Sequence, residues 1–103
     1  MNHKNLNLQS PMEAGESLAQ RARAMRLHKG WTRQTLAKRA GVTESSLKRF
    51  ENTGKASLEL VLKIAHALGR LTEFNQILLP PPAQSIEELE QRGIRSLRKR
   101  GKI

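Results

Sequence analysis

The sequence predicts an all-α fold of five helices with flexible N- and C-terminal tails. Three observations carry this. Apolar residues recur three or four positions apart, as they do along one face of a helix. Glycines interrupt the pattern at Gly30, Gly41, Gly54 and Gly69. Each is followed within three residues by Thr32, Thr43, Ser57 or Thr72, whose hydroxyls can cap a new helix. No segment reads as a strand.

Residues 1–12 are polar and Asn-rich and end at Pro11, which predicts a flexible arm. The folded domain is expected over 13–80. Helix 1 runs from Glu13 or Glu16 to Lys29, with Leu18, Ala22 and Met25 inward. Its acidic start and basic end suit the helix dipole. Helix 2 extends from the Thr32 cap to about Ala40, where Gly41 can take the left-handed conformation that ends a helix. Helix 3 spans Thr43 to about Asn52 with Leu47 and Phe50 inward. Ser57 caps helix 4, where Leu58, Leu62, Ala65 and Leu68 form one stripe, widened by Val61 and Ile64. Thr72 caps helix 5, which carries Phe74, Ile77 and Leu78. Pro80 to Pro82 forbid its continuation, because each lacks a donor and fixes φ. Residues 81–103 divide into a Pro-rich linker, a short acidic helix over 85–92 and a basic tail. Ser85-Ile-Glu-Glu88 is a capping-box signature, with Ile86 and Leu89 on one side. Arg92, Arg95, Arg98, Lys99, Arg100 and Lys102 then give six cations in the last twelve residues.

At 103 residues there is room for one small domain. Trp31, Phe50 and Phe74 are the only aromatics, so the core must be aliphatic and modest. The absence of Cys excludes disulfides and thiolate metal sites and fits a reducing cytoplasm. His3, His28 and His66 have no ligand spacing, so no metal or cofactor is expected. There is no Asp and no Gly-rich phosphate loop before a helix, which disfavours an enzyme. The net charge of +10 draws the chain to polyanions, with nucleic acid the first choice. No apolar run approaches the ~20 residues of a spanning helix, and no secretory leader is visible.

From Trp31 to Glu51 the chain reads as two short helices joined by a Gly turn, the form of a DNA-reading helix-turn-helix. Residues 18–68 resemble the XRE (lambda-repressor-like) family. The resemblance lies in Arg26, Gly30-Trp31-Thr32-Arg33, Leu36-Ala37, Gly41-Val42-Thr43, Leu47-Lys48 and Glu51-Asn52-Thr53-Gly54. Three departures stand out: Arg33 replaces Gln, Trp31 replaces Leu, and one extra residue separates Glu51 from Gly54.

The resemblance implies that helix 3 enters the major groove of DNA. Glu44, Ser45, Ser46 and Arg49 are then the expected base contacts. Arg49 can fork onto guanine O6 and N7, and Glu44 can accept from cytosine N4. Thr32, Arg33, Thr43, Lys48, Asn52 and Lys55 are the expected phosphate contacts. Arg33 adds charge to the N-terminus of helix 2, where free N–H groups favour an anion. Arg26 and Glu51 are, by resemblance, an internal ion pair. Glu51 is one of three acids between residues 15 and 55.

Phe50-Glu-Asn-Thr-Gly, Ser57-Leu-Glu, Ala67-Leu-Gly-Arg-Leu and Phe74 before a Pro-rich exit resemble the HipB-like antitoxins. That similarity implies a bacterial, cytoplasmic, nucleoid-associated autorepressor. It would bind a palindromic operator as a homodimer, joined through Leu71, Phe74, Ile77, Leu78 and Leu79, and pair with a HipA-like Ser/Thr kinase toxin. A phage or mobile-element repressor is the nearest alternative. An antitoxin acting mainly by protein binding, with the acidic helix and Pro run as a docking arm, is another. A sequence-independent nucleic-acid binder is what charge alone would allow.

Overall fold

The computed structural model describes residues 9–82, 87 and 89–94. Four α-helices and a 3-10 helix follow in order: α1 (Pro11–His28), α2 (Arg33–Ala40), α3 (Glu44–Thr53), α4 (Leu58–Ala67) and the 3-10 helix Leu71–Gln76. No strand occurs among the described residues. Residues 87 and 89–94 are also helical. Residues 1–8 of the N-terminal arm, the capping box at Ser85 and the basic run beyond Arg92 lie outside the described residues.

Helix α1 starts earlier than its charge pattern suggests. Ser10 is the N-cap: its hydroxyl accepts from the Glu13 N–H, and Glu13 accepts from the Ser10 N–H, completing a capping box. Pro11 therefore opens the helix rather than closing an arm, because the first turn needs no donor there. Thr32, Thr43 and Ser57 cap α2, α3 and α4 through their hydroxyls.

Two expectations are corrected. The fifth helix is 3-10, not α, and begins at Leu71 with no side-chain cap, so Thr72 does not cap it. It contributes no buried residue, and tight short turns are what such weakly packed pieces adopt. In α4, Leu58 does not join the inward stripe: it is 68% exposed. The buried face is instead set by Ile64, Ala65 and the flanking Leu68, with Leu60 and Val61 packed alongside.

The core gathers Phe50, Leu36, Leu47 and Ile64 with Ala19, Ala37 and Leu68. Phe50 and Leu47 tie α3 to the other helices, so the orientation of α3 is fixed by apolar packing. Its C-terminal end is fixed by a backbone approach. Gly54 takes φ 77°, and a Cβ built there would lie 2.6 Å from the Glu16 amide nitrogen in α1. A Cβ built on Gly15 would in turn lie 3.0 Å from the Gly54 carbonyl oxygen. Only glycine allows both the left-handed turn and this contact.

Candidate nucleic-acid interface

The turn between α2 and α3 is short and closed by hydrogen bonds. Gly41 adopts φ 71°, ψ 35°, and its N–H donates to the Lys38 carbonyl at 3.3 Å. The Val42 N–H donates to the Ala37 carbonyl at 3.0 Å. Thr43 then restarts the chain as a helix: its hydroxyl accepts from the Ser46 N–H and donates to the Ser46 hydroxyl at 2.7 Å. With Leu47 and Phe50 buried, α3 can present only its opposite face. Glu44, Ser45, Lys48, Arg49 and Asn52 lie exposed on it, and Ser46 is half-buried beside the cap. Residues on one rigid helix, at its solvent face and near its N-terminus, suit base reading in a groove.

Helix α2 contributes its N-terminus. Thr32 accepts from the Thr35 N–H at 3.1 Å and donates to the Thr35 hydroxyl at 3.0 Å. The first N–H groups of the helix have no intrahelical acceptor, as at any helix start. Lys55 lies exposed in the α3–α4 loop, where its N–H donates to the Thr53 hydroxyl. Thr53 in turn donates to the Arg49 carbonyl at 2.6 Å. The extra residue before Gly54 thus extends α3 and carries a C-terminal cap of its own.

Behind the exposed face sits a buried ionic cluster. Arg26 donates from Nε to Glu51 Oε2 at 2.7 Å and from Nη2 to Oε1 at 2.9 Å, a bidentate pair. Its Nη1 donates to the Trp31 carbonyl at 2.9 Å, which pins the start of α2 to α1. Arg33 also donates, from Nε to Glu51 Oε1 at 2.9 Å, and from Nη2 to Asn52 Oδ1 at 3.4 Å. The Glu51 side chain is fully enclosed, that of Arg26 nearly so, and that of Arg33 partly open. Burial pushes the Glu51 carboxyl up, but hydrogen bonds from Arg26 and Arg33, and then their charges, outweigh it and hold its pKa below the usual value. Among the described residues no buried side-chain polar atom lacks a partner.

Arg33 is therefore placed differently from a free surface cation. One edge of its guanidinium is committed to Glu51 and Asn52, while part of the side chain still faces solvent at the α2 N-terminus. Sequence reasoning missed this third member of the cluster. The signal was present: an Arg stands where an amide is usual, and Glu51 was already expected to be paired internally. Trp31 is also more engaged than its sequence suggests. The Lys29 ammonium and the Arg39 guanidinium lie 5.2 and 4.5 Å from its ring centroid. Such cation–π contacts hold the α1–α2 junction in place of the smaller Leu.

Of the residues expected at a dimer surface, Leu71, Ile77, Leu78 and Leu79 are exposed. Phe74 is half-buried and turns toward its own domain, where it lines a cavity of about 340 Å³ with Leu18, Met25 and Val61. No metal-binding group of His, Cys, Asp or Glu is present among the described residues, and no helix there is long and apolar enough to cross a membrane.

No curated protein and no solved structure matches the chain. Residues 23–74, just over half of its length, match the family model described as Helix-turn-helix (HTH_3), and the matched span contains the whole of α2, the Gly41 turn, α3 and α4. The chain belongs to this helix-turn-helix family of DNA-binding transcription regulators.

Proposed function

We propose that the protein is a sequence-specific repressor that binds a palindromic operator as a homodimer. The observation that carries this reading is the outward face of α3, where Glu44, Ser45 and Arg49 lie exposed on a helix locked from behind by Leu47, Phe50 and Glu51. Arg49 reads guanine through its fork, Glu44 accepts from cytosine, and Ser45 and Ser46 complete the base-facing set. Thr32, Arg33, Thr43, Lys48, Asn52 and Lys55 surround that face and take phosphates, which set register and supply salt-dependent affinity. For Arg33 the phosphate falls to the part of the guanidinium not used by Glu51. One such helix covers few base pairs, so a two-fold dimer is needed for a useful site, with half-sites about 34 Å apart. Exposed Leu71, Ile77, Leu78 and Leu79 supply apolar surface for that dimer, backed by Phe74.

The test is selection of bound duplexes from a random pool. An inverted repeat with half-sites one helical turn apart is expected; recovery of sequences with no common motif would leave only a charge-driven binder. Within this reading, similarity to the HipB-like antitoxins supports an autorepressor paired with a HipA-like kinase toxin. Co-expression with the product of the adjacent gene tests it: a kinase that co-purifies and loses toxicity is expected, and a neighbouring gene of phage-lysogeny type would favour the phage-repressor reading.

A further inference from the structure

Among the described residues, two further surfaces stand apart from the exposed face of α3 and the N-terminus of α2. One lies between the end of α2 and the outer side of α4. There Leu58, Leu62 and Leu71 line a groove of about 570 Å³, edged by Arg39, Lys63 and His66. Its one acid, Glu59, stands 3.9 Å from Lys63. The groove floor is apolar and its rim carries excess positive charge.

The other is the helical stretch of residues 87 and 89–94. Its Leu89 and Ile94 are 57% and 48% exposed. A helix of this length is marginal in water unless another surface covers it. The sequence at this point is distinctive in a chain of net charge +10: Glu87, Glu88 and Glu90 are three of only nine acids. An acidic helix with exposed leucine and isoleucine therefore complements an apolar groove with a cationic rim, in charge and in hydrophobicity.

The connection decides whose groove is filled. After the 3-10 helix, Ile77 is extended and Leu78 takes a left-handed φ of 59°. Pro80, Pro81 and Pro82 follow, and a proline run is a stiff, extended spacer of ~3 Å per residue. An exit this stiff and extended disfavours folding the acidic segment straight back onto its own domain.

We propose that the helical stretch of residues 87 and 89–94 of one copy docks through Leu89 in the Leu58–Leu62–Leu71 groove of a second copy, and that the exchange is reciprocal about the two-fold axis. Both grooves are then filled and both acidic helices covered. This rests on the dimer reading above and adds to it a specific surface away from the exposed face of α3 and the N-terminus of α2.

The chain has no Cys, so cysteine pairs can be introduced cleanly. Full-length Leu58→Cys and Leu89→Cys proteins, mixed and mildly oxidised, are expected to give a disulfide-linked heterodimer. A Gln20→Cys protein replacing Leu58→Cys should not. Because Leu58 is exposed, its substitution leaves the domain folded, which circular dichroism checks. In a second arm, Lys63→Glu should weaken self-association by about tenfold, and adding Glu90→Lys should restore it. An intramolecular disulfide in the Leu58→Cys/Leu89→Cys double variant would overturn the proposal in favour of docking within one chain. Cross-linking no better than the Gln20→Cys control, in a protein that sediments as a dimer, would overturn it and leave the dimer standing. A monomer, both free and on DNA, would remove the dimer reading as well.

Discussion

Arg33 donates its Nε to the same Glu51 oxygen, Oε1, that already accepts from Arg26. One carboxylate thus joins α1, α2 and α3, with a fully enclosed side chain held between two guanidiniums. The placement of α3 depends on this carboxylate as well as on its apolar contacts. It also explains why an acid persists in the middle of a basic segment.

Removing one side of the pair should cost stability more than base preference. Arg26→Met or Glu51→Gln strands a buried partner, a loss of about 3–5 kcal/mol when burial is complete. Thermal unfolding should show a large fall in midpoint for both. Unchanged midpoints would mean that the cluster is incidental to the fold.

The same carboxylate sets an acid limit. The Glu51 pKa is lowered in the folded state, so its contribution is fully present above the unfolded value and is lost as pH falls through the folded one. Stability of the wild type should therefore decline as pH falls below the ordinary carboxylate value of 4.5. The Glu51→Gln variant should show a shallower decline over the same range. Parallel pH profiles would remove Glu51 as the source.

Glycine substitutions should separate turn strain from close approach. Gly41 and Gly54 share a left-handed φ, but a Cβ at Gly41 meets nothing within 4 Å, whereas at Gly54 it would reach the α1 backbone. Gly41→Ala should cost about 1–2 kcal/mol, the penalty of the left-handed turn. Gly54→Ala should cost clearly more, because backbone cannot move aside as a side chain can. Equal losses in urea unfolding would show that α1 yields freely.

Much of this was legible in the sequence, for identifiable reasons. Glycine and hydroxyl punctuation marked α2, α3 and α4 because caps and left-handed turns are local chemistry. Leu47 and Phe50 could be placed inward by spacing alone. The start of α1 was less legible, because Pro11 reads as a breaker until Ser10 and Glu13 are seen to cap around it. Leu58 shows the limit of periodicity: its spacing fits the α4 stripe, yet whether the first turn of a helix is covered depends on what packs there. The second partner of Glu51 was easy to miss, because Arg33 suits a phosphate equally well by type and position. The close approach of Gly15 to Gly54 joins residues far apart in the chain, and local patterning carries no sign of it.

Whether α3 reads bases through its exposed face is decided at Arg49. Its side chain is exposed and outside the core, so Arg49→Ala should leave the melting temperature nearly unchanged. Affinities of wild type and variant should be measured at fixed salt on the selected operator, on operators changed one base pair at a time, and on random duplex. A loss of about 1–3 kcal/mol on the operator, relaxed preference at one base pair and a much smaller loss on random DNA are expected. An equal loss on every duplex would contradict it, reducing Arg49 to a phosphate contact and leaving α3 without its principal reading residue.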